Sequence, residues 1–128
     1  MTTKVLVIDD DAMSRQAIQA ILEDDGYSVT CAEDGRRGLA AFRRGRPDVV
    51  VTDILMPDKE GIETILELRT LWPHGAIIAI SGGGRIAKGD FLDMAKRCGA
   101  DAVLAKPFEP DALLSLVRSS CPQPSASI

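Results

Sequence analysis

Short apolar segments alternate along the chain with longer segments in which apolar residues recur every three or four positions. Strands are expected where the apolar run is short, and amphipathic helices where the recurrence follows the helical period. The predicted strands are Val5–Ile8, Tyr27–Cys31, Val49–Thr52, Ala76–Ile80 and Ala102–Ala105. The predicted helices are Ala12–Asp25, Gly35–Arg44, Ile62–Trp72, a segment from about Asp90 to Cys98, and a last helix that begins at Pro110. This alternation predicts an α/β fold in which helices cover both faces of a five-stranded parallel sheet.

The helical period also predicts which side chains face the sheet. Asp11 is expected to cap the first helix, because a short acidic side chain accepts hydrogen bonds from the first turn. The residues expected to face the core from the first three helices are Met13, Ala17, Ile18, Ile21, Leu22, Leu39, Phe42, Ile62, Ile65, Leu66 and Leu68.

The strands differ in how completely apolar they are, and this difference predicts their order. The first, third and fourth strands are apolar throughout, so they are expected at the centre of the sheet. The second alternates apolar and polar residues from Tyr27 to Cys31, and the fifth is short and follows Asp101, so both suit an edge. Right-handed crossovers then favour the order 2-1-3-4-5, a doubly wound sheet. Its winding direction reverses between the first and third strands, where open α/β sheets bind ligands.

Composition narrows the class of protein. The 128 residues suit one domain, expected over residues 1–120, with the Ser- and Pro-rich residues 121–128 as a disordered tail. The net charge of −4 argues against a nucleic-acid-binding surface. No apolar run is long enough to span a membrane, and Met1–Lys4 has none of the features of a signal peptide. A cytoplasmic protein with no direct nucleic-acid or membrane contact is therefore expected.

Charged residues stand where three of the apolar runs stop. The acidic triplet Asp9–Asp11 follows the first strand, Asp53 follows the third and Lys106 follows the fifth. A charge at the exit of a buried strand is unfavourable to hide, so packing does not explain its position. In the order 2-1-3-4-5 these strand ends, with Ser81 after the fourth strand, meet at one rim of the sheet. The sequence therefore predicts an anionic pocket that contains one lysine.

Such a pocket suits a divalent cation and a phosphoryl group. Asp10 and Asp53 are predicted to bind Mg²⁺ or Mn²⁺, with Asp9 acting through water, because hard cations prefer carboxylate oxygens. Asp53 is the candidate nucleophile, since a carboxylate can form an acyl phosphate when a cation neutralises the entering group. Lys106 and the Ser81 hydroxyl are expected to stabilise the phosphoryl oxygens.

From Lys4 to about Ser119 the chain resembles the receiver domain of two-component response regulators. The motifs that carry the resemblance are VLVIDDD, PDVVVTDILMPDKEGIE, AIIAIS and GADAVLAKPF, in order and at the family's spacing. The resemblance implies a flavodoxin-like fold, and phosphorylation of Asp53 by a sensor histidine kinase or a histidine phosphotransfer protein. It also implies a signal to a downstream effector protein by conformational change. Beyond Mg²⁺-dependent self-phosphorylation and slow autodephosphorylation, no enzyme activity is expected.

The family's site residues map by position onto this chain. The resemblance implies an acidic pair for the metal, a backbone carbonyl that completes the metal site, two catalytic contacts to the phosphoryl group, and a cis peptide bond. In that order, these are Asp9 and Asp10, Leu55, Ser81 and Lys106, and the Lys106–Pro107 bond.

Two departures from the family pattern concern the switch that reports phosphorylation. Val103 stands where the family usually has a tyrosine or phenylalanine whose ring moves on phosphorylation. Gly82, Gly83 and Gly84 follow Ser81 and predict a mobile loop. The hypothesis is that phosphorylation orders this loop and the start of the predicted fourth helix. Leu55 and Gly83 occupy family positions that tune phosphate loss, and since neither side chain can orient water, a long-lived phosphoryl group is predicted.

Two other functions compete with this interpretation. A haloacid dehalogenase-like phosphatase would use Asp9 as nucleophile and Asp11 as acid. Met13 departs from that family's pattern, and the chain has no room for a cap or a later acidic pair. A flavodoxin-like binding protein without phosphorylation would leave Asp53 and Lys106 unexplained.

A basic cluster surrounds the second predicted helix. It is either a docking patch for a partner or a solvated helix face, and the sequence alone favours the solvated face. Its members are Arg36, Arg37, Arg43, Arg44 and Arg46.

Overall fold

Strands and helices alternate in the computed structural model, which describes residues 2–54, 60–81, 93 and 96–120. The strands are β1 (Lys4–Ile8), β2 (Ser28–Ala32), β3 (Val49–Asp53), β4 (Ala76–Ser81) and β5 (Ala102–Ala105). The helices are α1 (Ala12–Asp24), α2 (Gly35–Gly45), α3 (Glu60–Leu71) and α4 (Pro110–Ser120). Asp93 and residues 96–98 are also helical, within the segment where the sequence predicts the fourth of its five helices. The predicted tail, residues 121–128, lies outside the described residues.

All five strands belong to one parallel sheet in the order β2-β1-β3-β4-β5. The predicted fold class, strand order and edge strands are therefore confirmed. In the register of the sheet, Asp53 is opposite Ile80, and Ser81 is opposite Ala105. The carboxyl ends of β3, β4 and β5 consequently lie side by side.

The sheet separates two hydrophobic cores, because successive side chains of a strand point to opposite faces. Leu6 and Ile8 of β1 belong to the core that α2 and α3 cover. Val5 and Val7 belong to the core that α1 and α4 cover. Phe42 on α2 is fully buried and stacks at a tilt against Trp72, with ring centroids 5.3 Å apart. This packing holds the central strands in place.

Three residues predicted to face the core are instead exposed. Met13 is 79% exposed, Leu66 is 48% exposed, and Ala17 is exposed as well. On α1 the buried ridge consists of Ile18 and Leu22, and Met13 lies about 140° around the helix from Ile18 at about 100° per residue. The prediction was wrong for these residues because α1 and α3 each bury a narrower stripe than their apolar residues span.

The N-termini of the first two helices have acidic caps. The Asp11 carboxylate accepts a hydrogen bond from the Ser14 N–H at 2.9 Å, which confirms the predicted cap of α1. Asp34 caps α2 by accepting from the Arg37 N–H at 2.7 Å. Because Asp11 turns back onto its own helix, Asp9 and Asp10 are the members of the acidic triplet left for the sheet rim.

The described helices are all too short or too polar to cross a membrane.

Candidate functional site

Asp53 is the last residue of β3, the middle strand of the sheet, and only 6% of its surface is exposed. The strand places it because β3 is apolar from Val49 to Val51 and is held between β1 and β4. The next residue, Ile54, donates its N–H to the Ile80 carbonyl at 2.9 Å, so pairing with β4 continues just past Asp53. A buried carboxylate is thus held in a fixed position at the rim.

Asp9 follows β1, and only 1% of its surface is exposed. Its N–H donates to the Ala32 carbonyl at 3.1 Å, and its own carbonyl accepts from Arg15 Nη1 at 2.8 Å. Its carboxylate accepts from the Asp11 N–H at 2.9 Å through Oδ1 and from Lys106 Nζ at 3.0 Å through Oδ2. All the polar groups of Asp9 therefore have partners that fix its orientation.

Arg15 is a residue of this site that the sequence reasoning missed. It lies one turn into α1 and holds the backbone carbonyl of Asp9. Its only signal in the sequence is its spacing, six residues after Asp9 at the start of a helix. A contact from a side chain to a backbone carbonyl leaves no pattern of residue types, so this role becomes visible only in the fold.

Lys106 connects two of the acidic residues. Its Nζ lies 3.0 Å from Oδ2 of Asp9 and 3.1 Å from Oδ2 of Asp53, and its side chain is 22% exposed. Its N–H donates to the Ser81 carbonyl at 2.7 Å, and its peptide bond to Pro107 is cis. Burial lowers the pKa of the Lys106 ammonium, but the charge of Asp53 and the hydrogen bonds to Asp53 and Asp9 raise it. The net pKa lies above the ordinary value of 10.5.

Three carboxylates converge beside this ammonium. Oxygen atoms of Asp9, Asp10 and Asp53 all lie within 4.8 Å of one another, with Asp10 exposed and the other two buried. Carboxylates this close repel, and one Lys106 charge does not balance three. A hard divalent cation prefers this donor set, and the exposed Asp10 gives access from solvent. The residues present therefore fit a Mg²⁺ or Mn²⁺ site.

The remaining predicted site residues are distributed as follows. Ser81 ends β4 at the same rim and is 6% exposed. Val103 lies on β5, partly buried against the core that α2 and α3 cover. The predictions for Leu55, Gly82, Gly83 and Gly84 concern positions outside the described residues.

Known proteins share this sequence pattern. The model of the response regulator receiver domain family matches residues 5–118. Response regulator MprA of Mycolicibacterium vanbaalenii is 35% identical over 120 residues, which cover 93% of this chain and 50% of that protein. Transcriptional regulatory protein DltR of Streptococcus agalactiae is 36% identical over 116 residues, covering 90% of this chain and 50% of that protein. The chain spans about half the length of the curated relatives it matches.

Solved structures share the fold over nearly the whole chain. A response regulator receiver domain protein from Clostridium thermocellum has a TM-score of 0.86 at 31% identity, with 98% of this chain and 99% of that chain covered. A CheY-like receiver domain protein from Methanospirillum hungatei has a TM-score of 0.83 at 28% identity, with 93% of each chain covered. Sequence motifs, strand order and the acidic rim agree with these matches, and the chain belongs to the family of response regulator receiver domains.

Proposed function

We propose that this chain takes a phosphoryl group onto Asp53 from a histidine kinase or a histidine phosphotransfer protein, in a Mg²⁺-dependent reaction. Receiver domains of two-component response regulators accept phosphoryl groups on aspartate, and the chain belongs to that family. One observation carries the assignment to Asp53. This carboxylate ends the central strand with Lys106 Nζ at 3.1 Å and two further carboxylates within 4.8 Å.

The nucleophile is an oxygen of Asp53. It forms a bond to the phosphorus of the donor while the bond between phosphorus and the donor's imidazole nitrogen breaks, and the histidine leaves with the electron pair. Asp53 gains no proton and needs no general base, because its carboxylate is the attacking form. Asp53 is buried at the end of a strand that pairs on both sides, so its carboxylate is held in place, which reduces the entropy lost on reaching the transition state.

Positive charge is needed where the phosphoryl oxygens collect. The Lys106 ammonium already lies 3.1 Å from Asp53 and is held in the charged form by its acidic neighbours. Asp9, Asp10 and Asp53 would hold the divalent cation, which supplies charge stabilisation to the transferred group. Ser81 follows on the same rim, and we assign its hydroxyl to a hydrogen bond with a phosphoryl oxygen. The backbone carbonyl of Leu55 is proposed as a further metal ligand.

The downstream partner is a separate part of the proposal. Several relatives are named transcriptional regulatory proteins, and this chain spans about half of their length. The expectation of no direct contact with nucleic acid therefore applies only to the receiver residues. A DNA-binding protein or segment is the effector class to test first. We also propose that the chain is located in the cytoplasm, the compartment in which such an effector would act.

The proposal is tested with a small phosphodonor. The protein is incubated with acetyl phosphate and Mg²⁺, and the modified residue is located by mass spectrometry. A gain of one phosphoryl group at Asp53, absent without Mg²⁺ and absent in Asp53→Asn, is the expected result. The matched control is Asp48→Asn, which alters an aspartate that bonds the Lys4 N–H at the other end of the sheet.

Other outcomes would contradict the proposal. Modification at Asp9, or steady turnover of a phosphomonoester, would support the haloacid dehalogenase-like phosphatase instead. The absence of any modification, with Mg²⁺ binding intact, would leave a binding protein of the same fold. The rate of phosphate loss from the modified wild type separately tests the predicted long-lived phosphoryl group, which rapid loss would exclude.

A further inference from the structure

Helix α2 carries an unusual concentration of positive charge. Between residues 36 and 46 the chain has five arginines and no acidic residue, although its net charge is −4. Two of these arginines are engaged within the molecule, Arg37 in an ion pair with Glu33 and Arg46 over the ring of Phe42. Of the five, Arg36, Arg43 and Arg44 have neither an ion pair nor a ring contact with any residue that the structure describes.

A surface cleft of about 740 Å³ lies between α2 and α3. Arginines line it on the α2 side and glutamates line it on the α3 side. Arg36 and Arg43 stand on the α2 wall, seven positions apart and therefore about 20° apart around the helix, on one ridge. Glu63 and Glu67 stand on the α3 wall, four positions apart and therefore neighbours on that helix. All four side chains are exposed, whereas Leu39, which also lines the cleft, is buried.

The charges of the two walls do not neutralise each other within one molecule. Among the described residues, no ion pair within 4.0 Å joins Arg36 or Arg43 to Glu63 or Glu67. The net charge of the residues that line the cleft is nevertheless zero. The positive charges lie on α2, and the negative charges lie on α3 and at the N-terminal cap of α2. The arginines are Arg36, Arg37 and Arg43, and the acids are Asp34, Glu63 and Glu67.

This separation of charge selects the kind of partner. A polyanion would meet repulsion from the α3 wall, and a polycation would meet repulsion from the α2 wall. A second copy of the chain can be placed by a two-fold axis that runs parallel to the cleft. This rotation exchanges the two sides of the cleft, so the α2 wall of each copy faces the α3 wall of the other. An interface of this isologous type repeats every contact twice, so both sets of charges are compensated at once.

We propose that the α2–α3 cleft is the interface of a symmetric dimer of this chain. The spacing agrees, since Arg36 and Arg43 are about 10.5 Å apart along α2 and Glu63 and Glu67 about 6 Å apart along α3, within the reach of arginine side chains. Leu66, 48% exposed on α3, provides an apolar side chain next to these acids. The association depends mainly on exposed charges, so it is weak and decreases with salt. It does not depend on phosphorylation of Asp53.

Sedimentation velocity of the wild-type chain tests the dimer. At low ionic strength the mass is expected to rise with concentration toward twice the 13.7 kDa of the monomer, and to fall back as salt is added. Two charge-reversed variants then identify the surface: Arg36→Glu with Arg43→Glu, and Glu63→Arg with Glu67→Arg. Each is expected to be monomeric alone, and an equimolar mixture is expected to form a one-to-one dimer, since opposite walls meet again.

The control reverses two exposed charges away from the cleft, Lys96→Glu with Arg97→Glu, and is expected to dimerise like the wild type. Circular dichroism verifies folding, and where a double variant does not fold, the single changes Arg43→Glu and Glu67→Arg replace it. A wild-type chain that is monomeric at about 1 mM and low salt would overturn the proposal. So would charge reversals that leave the dimer intact, a mixture that stays monomeric, or a control that also loses the dimer.

Discussion

At the scale of single residues, Lys106 determines the charge balance of the pocket. Its ammonium lies about equally far from Asp9 and Asp53, at 3.0 and 3.1 Å, and both carboxylates are buried. Without it, the described part of the pocket would hold like charges only. Removing one member of a buried ionic group is strongly destabilising, because the remaining charges lose their compensation.

Lys106→Met is therefore expected to lower the free energy of unfolding by about 2–4 kcal/mol at neutral pH in metal-free buffer. Mg²⁺ should recover part of this loss, because it supplies a replacement positive charge. Urea denaturation with and without Mg²⁺ measures both effects. Lys4→Met, at an exposed position, should change stability by less than about 0.5 kcal/mol. Equal losses in the two variants would contradict a special role for Lys106.

The difference in stability between wild type and Lys106→Met depends on pH, and the direction in which the Lys106 pKa is shifted determines how. The pKa of Lys106 in the folded protein lies above its ordinary value of 10.5. Its stabilising contribution is therefore fully present below that value and is lost as the pH rises through the raised pKa. The stability difference between wild type and Lys106→Met should stay constant from about pH 7 to about pH 9 and decrease only at higher pH. A decrease already complete by pH 9 would be inconsistent with this assignment.

Arg15 does not belong to the cluster of Asp9, Asp10 and Asp53 but contacts one of its members. Its guanidinium fixes the carbonyl of Asp9, so losing it should loosen the turn that presents Asp9 and Asp10. Arg15→Met is expected to weaken Mn²⁺ binding about tenfold, and Arg15→Lys by less, because lysine retains one donor. Isothermal titration calorimetry measures the affinities. Arg44→Met, which removes an arginine that forms no ion pair with any described residue, should bind Mn²⁺ as the wild type does.

At the scale of elements, the first turn of α3 lies directly against the end of β3. A Cβ at Gly61 would overlap the Ile54 Cα and would lie 2.5 Å from the Asp53 carbonyl oxygen. Both obstacles are backbone atoms, one of Asp53 at the end of β3 and one of the residue that follows it, so neither can rotate away. The absence of a side chain at Gly61 is what lets α3 pack close to Asp53.

Gly61→Ala is expected to destabilise the protein by about 1–3 kcal/mol and to reduce phosphorylation of Asp53, because β3 or α3 must move. Gly45→Ala provides the matched control at the end of α2, where an added Cβ would meet no atom within 4 Å. That change should be neutral or stabilise by up to about 1 kcal/mol, since alanine favours helix. Thermal unfolding and the acetyl phosphate assay measure the two effects, and similar behaviour of both variants would refute the packing argument.

At the scale of the whole molecule, β5 touches both cores. Val103 packs against the core that α2 and α3 cover, and Leu104 against the core that α1 and α4 cover. Lys106 follows this strand directly, and its N–H is bonded to Ser81 of β4. A new charge at Asp53 would therefore act on a strand in contact with both layers of the protein.

Amide hydrogen exchange tests which residues respond to a new charge at Asp53. With beryllofluoride and Mg²⁺ as an acyl-phosphate mimic, protection is expected to rise across residues 81–90, in place of movement by the aromatic ring that Val103 replaces. Asp53→Asn, which cannot hold the mimic in the same way, should show no rise. Unchanged protection across these residues in the wild type would exclude Gly82, Gly83 and Gly84 as part of the switch.

The fold could be predicted well from the sequence because strands that are buried on both faces of a parallel sheet consist of apolar residues. Continuous apolar runs marked central strands, and the alternation along β2 marked an edge. The same logic failed at Met13 and Leu66, where an apolar residue does not imply burial. For the site, chain position alone brought Asp9, Asp53 and Lys106 to one rim. The salt bridge from Lys106 to Asp9 and the contact from Arg15 depend on side-chain reach and loop geometry, which no periodicity encodes.

The position of Lys106 directly after an edge strand has a mechanical consequence. As an edge strand, β5 pairs with β4 alone, whereas a central strand pairs with two neighbours, and Lys106 comes directly after β5. Asp53, in contrast, ends a strand that is paired with a neighbouring strand on each side. When the force between these two groups changes, we therefore expect Asp53 to stay in place and Lys106 to take up the displacement. A displacement of this kind would pass into β5, at the edge of the sheet, and not into the central strand that carries Asp53.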